Sequence, residues 1–97
     1  MQFNSFATNG TITKVIFFFK DEEMKIYRHC SLKLIFSDRK ISFVYLGEEL
    51  LKKLGDKVKL LKYGNKVDVK GMRVLVNGHD ITKAIFFEIR ENKTNES

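Results

Sequence analysis

The chain has 97 residues, 43% of them hydrophobic and 31% charged, which is enough for one small folded domain and excludes a disordered chain. With 18 Lys and Arg against 12 Asp and Glu its net charge is +6, which favours an anionic partner, and a single cysteine, Cys30, excludes an intrachain disulfide. VIFFF, between Lys14 and Lys20, is far short of the ~20 apolar residues a membrane helix needs, and no signal peptide is recognised, so an intracellular, cytoplasmic location is expected.

After a polar lead-in holding Phe3 and Phe6, the stretch Thr11 to Lys20 (TITKVIFFFK) is rich in β-branched and aromatic residues and reads as a first strand. Thr11, Thr13, Val15, Phe17 and Phe19 share one phase. Ile12, Lys14, Ile16, Phe18 and Lys20 share the other, which the lysines mark as the wetter side and which sets Phe18 among cations. Asp21 to Glu23 connects to a second strand, MKIYRHCSLKLIF (Met24 to Phe36). Its Ile26, Cys30, Leu32, Leu34 and Phe36 face the core, so Cys30 is a buried thiol. Lys25, Tyr27, His29, Ser31 and Lys33 face out, mixing cations with flat rings. Ser37 to Arg39 turns the chain into KISFVYL, where Ile41, Phe43 and Tyr45 take the core phase and Lys40, Ser42, Val44 and Leu46 the other.

After Gly47 the period changes. Leu50, Leu51, Leu54, Val58 and Leu61 recur at three- and four-residue spacing, the stripe of an amphipathic helix. Glu48 and Glu49 suit its N-terminus and the lysines its C-terminal half. Gly55 is a weak point that can split the helix, and Gly64–Asn65 ends it. KVDVKGMRVLV returns to strand period with Val67 and Val69 inward, and Gly71 marks a bulge or bend. NGHD (Asn77 to Asp80) is a hairpin turn, which makes His79 a turn residue. The last strand, ITKAIFFEIR, sets Ile81, Ile85, Phe87 and Ile89 on one face. Ala84 and Phe86 are left outside, where with Phe3 and Phe6 they are a candidate homo-oligomer (dimer) patch. Residues 1–90 thus form one domain, and 91–97 (ENKTNES) a polar tail expected to be disordered.

The order β-β-β-α-β-β is the layout of the OB-fold, a five-stranded Greek-key barrel. FVYLGEELLKKL resembles the third strand and helix start of the bacterial and phage single-stranded DNA-binding proteins. YGNKVDVKGMRV, with Gly64, Val67, Val69 and Gly71, resembles the start of their fourth strand. Spanning residues 8 to 90, the resemblance implies an OB barrel that binds single-stranded DNA with little sequence preference, in replication or recombination. Lys, Asn, Ile and Phe-rich usage is compatible with an AT-rich genome such as that of a phage or mobile element. Two departures stand out. The helical insert is longer than in that family, and the chain has no flexible tail with an acidic-hydrophobic tip, so recruitment of replication enzymes by that route is not expected. A short, tailless type similar to primosomal replication protein N fits the length better.

Single strands are held by cations along the phosphates and rings under the bases. Lys14, Lys25, Lys33 and Lys40 are the candidate cations, and Phe18, Tyr27 and His29 the candidate rings. Lys70 and Arg73, flanking Gly71, are candidates for the neighbouring wall. Two other uses stay open: an RNA-binding OB module, and a small protein–protein interaction or inhibitor module docking through exposed Phe and Tyr. No enzyme chemistry is expected, since there is no Gly-rich phosphate loop, and Cys30 and His29 sit on opposite faces of their strand. One Cys and two His match no metal-ligand spacing, so neither metal nor cofactor is expected.

Overall fold

The β-branched and aromatic run that begins at Thr11 belongs to a strand longer than its composition marks out, because that strand serves two partners. β1 (Ser5–Asp21) pairs with β4 (Lys66–Val76) through its first half and with β2 (Ile26–Ile35) through its second. The structure, a computed structural model, describes residues 5–90; Phe3, the side chain of Phe6 and the tail 91–97 lie outside the described residues. β3 (Ile41–Gly47) follows β2 antiparallel, and β5 (His79–Arg90) returns from β4 through a hairpin. The strands close into a barrel in the order β1-β2-β3-β5-β4. Its seam is the parallel pair β3–β5, held by Val44 opposite Thr82 and Tyr45 opposite Lys83.

Ile12, Cys30, Leu32, Leu34, Val44, Leu46, Val67, Val69 and Phe87 fill the barrel, and Leu51, Val58 and Leu61 from the helical insert join the same cluster. That insert is not one helix. α1 (Glu48–Leu54) stops at Gly55, whose φ of 56° is a left-handed value that glycine adopts readily, and a 3-10 helix, Gly55–Leu60, carries on. The break turns Val58 and Leu61 inward. The connection to β4 is then tied to β1: Gly64 N–H donates to the Ile12 carbonyl at 2.9 Å, and Ile12 N–H to the Asn65 carbonyl at 2.9 Å. Buried Asn65 donates its side-chain amide to Leu60 O at 2.8 Å.

Regular alternation fails at the bulges, and the expectations for β1, β2 and β5 change there, while β3 takes the opposite phase with no bulge. The β1–β2 register places Thr13, Lys20 and Arg28 as extra residues in the ladder, and one extra residue reverses the facing of the strand beyond it. Past Thr13 the phase switches, so Ile12 is fully buried while Val15 and Phe17 also turn in. Across Arg28, Tyr27 pairs with Phe19 and packs on the core, and Ile26 is left exposed. In β3, Val44 and Leu46 are the interior residues, and Ile41, Phe43 and Tyr45 face out, opposite to the expected phase. On β5 the register shift across Lys70/Gly71 brings Ala84 against the core and leaves Phe86 exposed.

Gly71 is required by close approach. A Cβ built there collides with the backbone carbonyl of Lys83, so Gly71→Ala is expected to lower stability by at least ~2 kcal/mol, read from the urea midpoint. Burial pushes the Cys30 thiol from 9.0 up to about 12. The unfolded chain then loses that proton first as pH rises. Its titration therefore leaves stability unchanged below about pH 9 and lowers it between 9 and 12, by up to ~1.4 kcal/mol per pH unit. The stability difference between wild type and Cys30→Ala, followed by urea unfolding, should be flat to pH 8.5 and shrink above pH 9.

Candidate functional site

Closure of the ring leaves the outer face of β1, β2 and β3 as one continuous wall, and the registers set its side chains in rows. Thr11, Ile35 and Ile41 stand side by side; then Lys14, Lys33 and Phe43; then Ile16, Ser31, Tyr45 and, across the seam, Lys83; then Phe18, His29 and Gly47. No acidic residue occupies any of these positions. Ile41 is 51% exposed, Phe43 48%, Phe18 42% and Ile16 40%, so four large apolar side chains share this exposed surface.

The rings are ordered among themselves. Phe18 stacks on His29 with centroids 4.4 Å apart, and His29 meets Tyr45 at 4.9 Å, a ladder spanning three strands. Phe43 makes no ring contact among the described residues, which leaves its ring open to a flat ligand. Lys14 and Lys33 face each other directly, and among the described residues neither has an ion-pair partner. Like charges in that relation repel, and an anion lying between them relieves the repulsion.

Next to Gly47 at one end of the wall, Lys20 reaches Glu48 at 2.7 Å and Lys52 reaches it at 3.5 Å. The hydrogen bond from Lys20 is the main cause that holds the Glu48 carboxyl below the usual glutamate range, so this carboxylate stays ionised and offset by two lysines. Toward the other end the wall adjoins a cavity of about 230 Å³, lined by Ile41 and Phe43 of β3 and by Arg73, Asp80, Ile81 and Thr82 of the β4–β5 hairpin. Arg73 Nη2 donates to Asp80 Oδ2 at 2.6 Å.

The expected residues divide accordingly. Lys14, Phe18, His29 and Lys33 come together on the wall. Tyr27 does not; it turns inward and meets Phe17 and Phe19, each at 5.1 Å. Lys25 belongs to the β1–β2 turn with φ 57°, its ammonium 5.4 Å from the Phe19 centroid. Lys40 precedes β3 in a turn whose Asp38 Oδ1 accepts its N–H at 3.0 Å. Lys70 lies on β4, beside the first half of β1 and outside the β1–β2–β3 wall, with its ammonium over Phe86 at 5.6 Å. Arg73 stands on the hairpin beside the cavity. Ile41, Phe43, Tyr45 and Lys83 are wall residues that strand phase alone does not assign to it, whereas Ile16 falls on the side its phase predicts.

Cys30 is inside and His29 outside, so the two form no nucleophile–base pair. Among the described residues no group of three His, Cys, Asp or Glu is placed to hold a metal ion, and no helix is long and apolar enough to cross a membrane. Comparison with protein-family models, curated proteins and solved structures finds no match to this chain.

Removing one of the opposed lysines should stabilise the free protein. Lys14→Gln is expected to raise the urea midpoint by the equivalent of roughly a few tenths of a kcal/mol in dilute buffer, and the gain should fade at molar salt. A loss of stability, or a gain indifferent to salt, would show that the two charges do not interact.

Proposed function

We propose that this chain is an OB-type barrel that binds single-stranded DNA with little sequence preference along the β1–β2–β3 wall. One observation carries the reading: a wall without an acidic residue that alternates exposed Ile16, Phe18, Ile41 and Phe43 with Lys14, Lys33 and Lys83. Cations track the phosphates while rings and flat aliphatic surface take the bases. The strand order and the helical insert before β4 support the OB assignment, and in such barrels the face around strands two and three takes oligonucleotides. Phe43 is the principal stacking platform because its ring is not already engaged, with Phe18 and Tyr45 held at fixed pitch by His29. DNA is taken over RNA on the resemblance of the sequence to single-stranded DNA-binding proteins, and the RNA arm of the test below decides between them. Such a binder covers strands exposed in replication or recombination and needs neither metal nor cofactor.

Fluorescence anisotropy with labelled oligo-dT, the matching duplex and the matching RNA, across a salt series, tests the reading. Binding should favour oligo-dT. Phe43→Ala should weaken it by ~1–3 kcal/mol with an unchanged salt slope, and Lys33→Gln should reduce the log–log slope by about 0.7. Tyr27→Ala should act on stability and leave both the stacking and the slope alone. No affinity for any of the three oligonucleotides at low salt would reject the proposal and leave the wall as a protein-docking surface.

A further inference from the structure

The cavity beside Phe43 joins the stacking wall to the β4–β5 hairpin, and its one prominent cation is engaged. Arg73 stands opposite Thr82, and Asp80 opposite Leu75, two cross-strand pairs further out and so on the same side of the hairpin. This brings the guanidinium and carboxylate together at 2.6 Å with side chains 58% and 57% exposed. We propose that Arg73 is a phosphate-binding residue held in reserve by Asp80: a nucleic-acid phosphate displaces the carboxylate when a strand passes Phe43 and reaches the hairpin. The inference rests on the proposed function of the wall.

Three features support the exchange. Phe43 and Ile41 line both the wall and the cavity, so a strand whose base stacks on Phe43 brings its phosphate within the cavity's reach. An exposed ion pair is weakly held, so giving it up for another anion is cheap. A guanidinium matches phosphate as well as it matches carboxylate, through paired N–H donors. The displaced Asp80 is already half exposed and returns to water without a desolvation penalty. The device filters ligands: a lone nucleotide or a small anion has only the Arg73 contact with which to displace Asp80, whereas a strand anchored on Lys14, Lys33 and Phe43 delivers its phosphate at high effective concentration.

A double-mutant cycle on oligo-dT binding tests it, with wild type, Asp80→Asn, Arg73→Gln and the double variant in the same salt series. Asp80→Asn should tighten binding about threefold to fivefold, the worth of an exposed ion pair, and steepen the log–log salt slope by about 0.7, since Arg73 then no longer trades one anion for another. In the Arg73→Gln background the Asp80→Asn gain should vanish. An equal gain in both backgrounds would reduce the effect to removal of a negative charge near a polyanion and overturn the latch, as would no gain at all; either result leaves the wall as the binding surface. Failure of the wild type to bind oligo-dT would remove both.

Discussion

In a closed ring of strands each side chain points into the barrel or away from it, and one inserted residue reverses the assignment for everything beyond it. Thr13, Lys20 and Arg28 are such insertions in the β1–β2 ladder. Because Thr13 is extra, Ile12 and Val15 both reach the interior, and Lys14, Ile16 and Phe18 all stay outside. Because Arg28 is extra, Tyr27 leaves the side of His29 and joins Phe17 and Phe19. Core and wall are therefore two readings of one register. A change that slips it would expose Tyr27 and bury a lysine in the same step.

The wall itself is held against ordinary preferences. Ile16, Phe18, Ile41 and Phe43 remain in contact with water, Lys14 faces Lys33, and the carboxylate nearest Gly47 is drawn away by Lys20 and Lys52. A packed apolar ligand would answer the first of these and worsen the second; a small anion would answer the second alone. A flexible chain that carries flat bases on a charged backbone answers both, and that is the ligand we propose.

Much of this fold is legible in the sequence because its signals are local. Alternation marks the strands, the Leu50–Leu61 stripe marks the insert, and Gly55, Gly71 and Asn77–Gly78 mark the break, the close approach and the hairpin turn. Lys14, Phe18, His29 and Lys33 are legible on the wall because no bulge separates their pairing partners: Lys14 to Phe18 and Lys33 to His29 run in unbroken register. Tyr27 is not, since Arg28 carries no mark of an insertion and a bulge depends on the partner strand. Phe43 and Tyr45 escape assignment for a different reason. Their rings suit a core as well as a surface, and Lys40, which weighs against their alternates, precedes the strand in a turn. Leu46, separated from α1 only by the Gly47 cap, is fully buried and sets the phase instead.

The parallel seam of the ring is two residue pairs long, while β4 and β5 share eleven. Local opening begins where the fewest contacts hold, so spontaneous parting starts between Val44–Tyr45 and Thr82–Lys83. The hairpin would then move as a stiff unit while β1, β2 and β3 remain a sheet, and the buried Val44 and Thr82 would be the first interior residues uncovered. The cleft beside Phe43 would widen each time the staves part there, beyond its resting width.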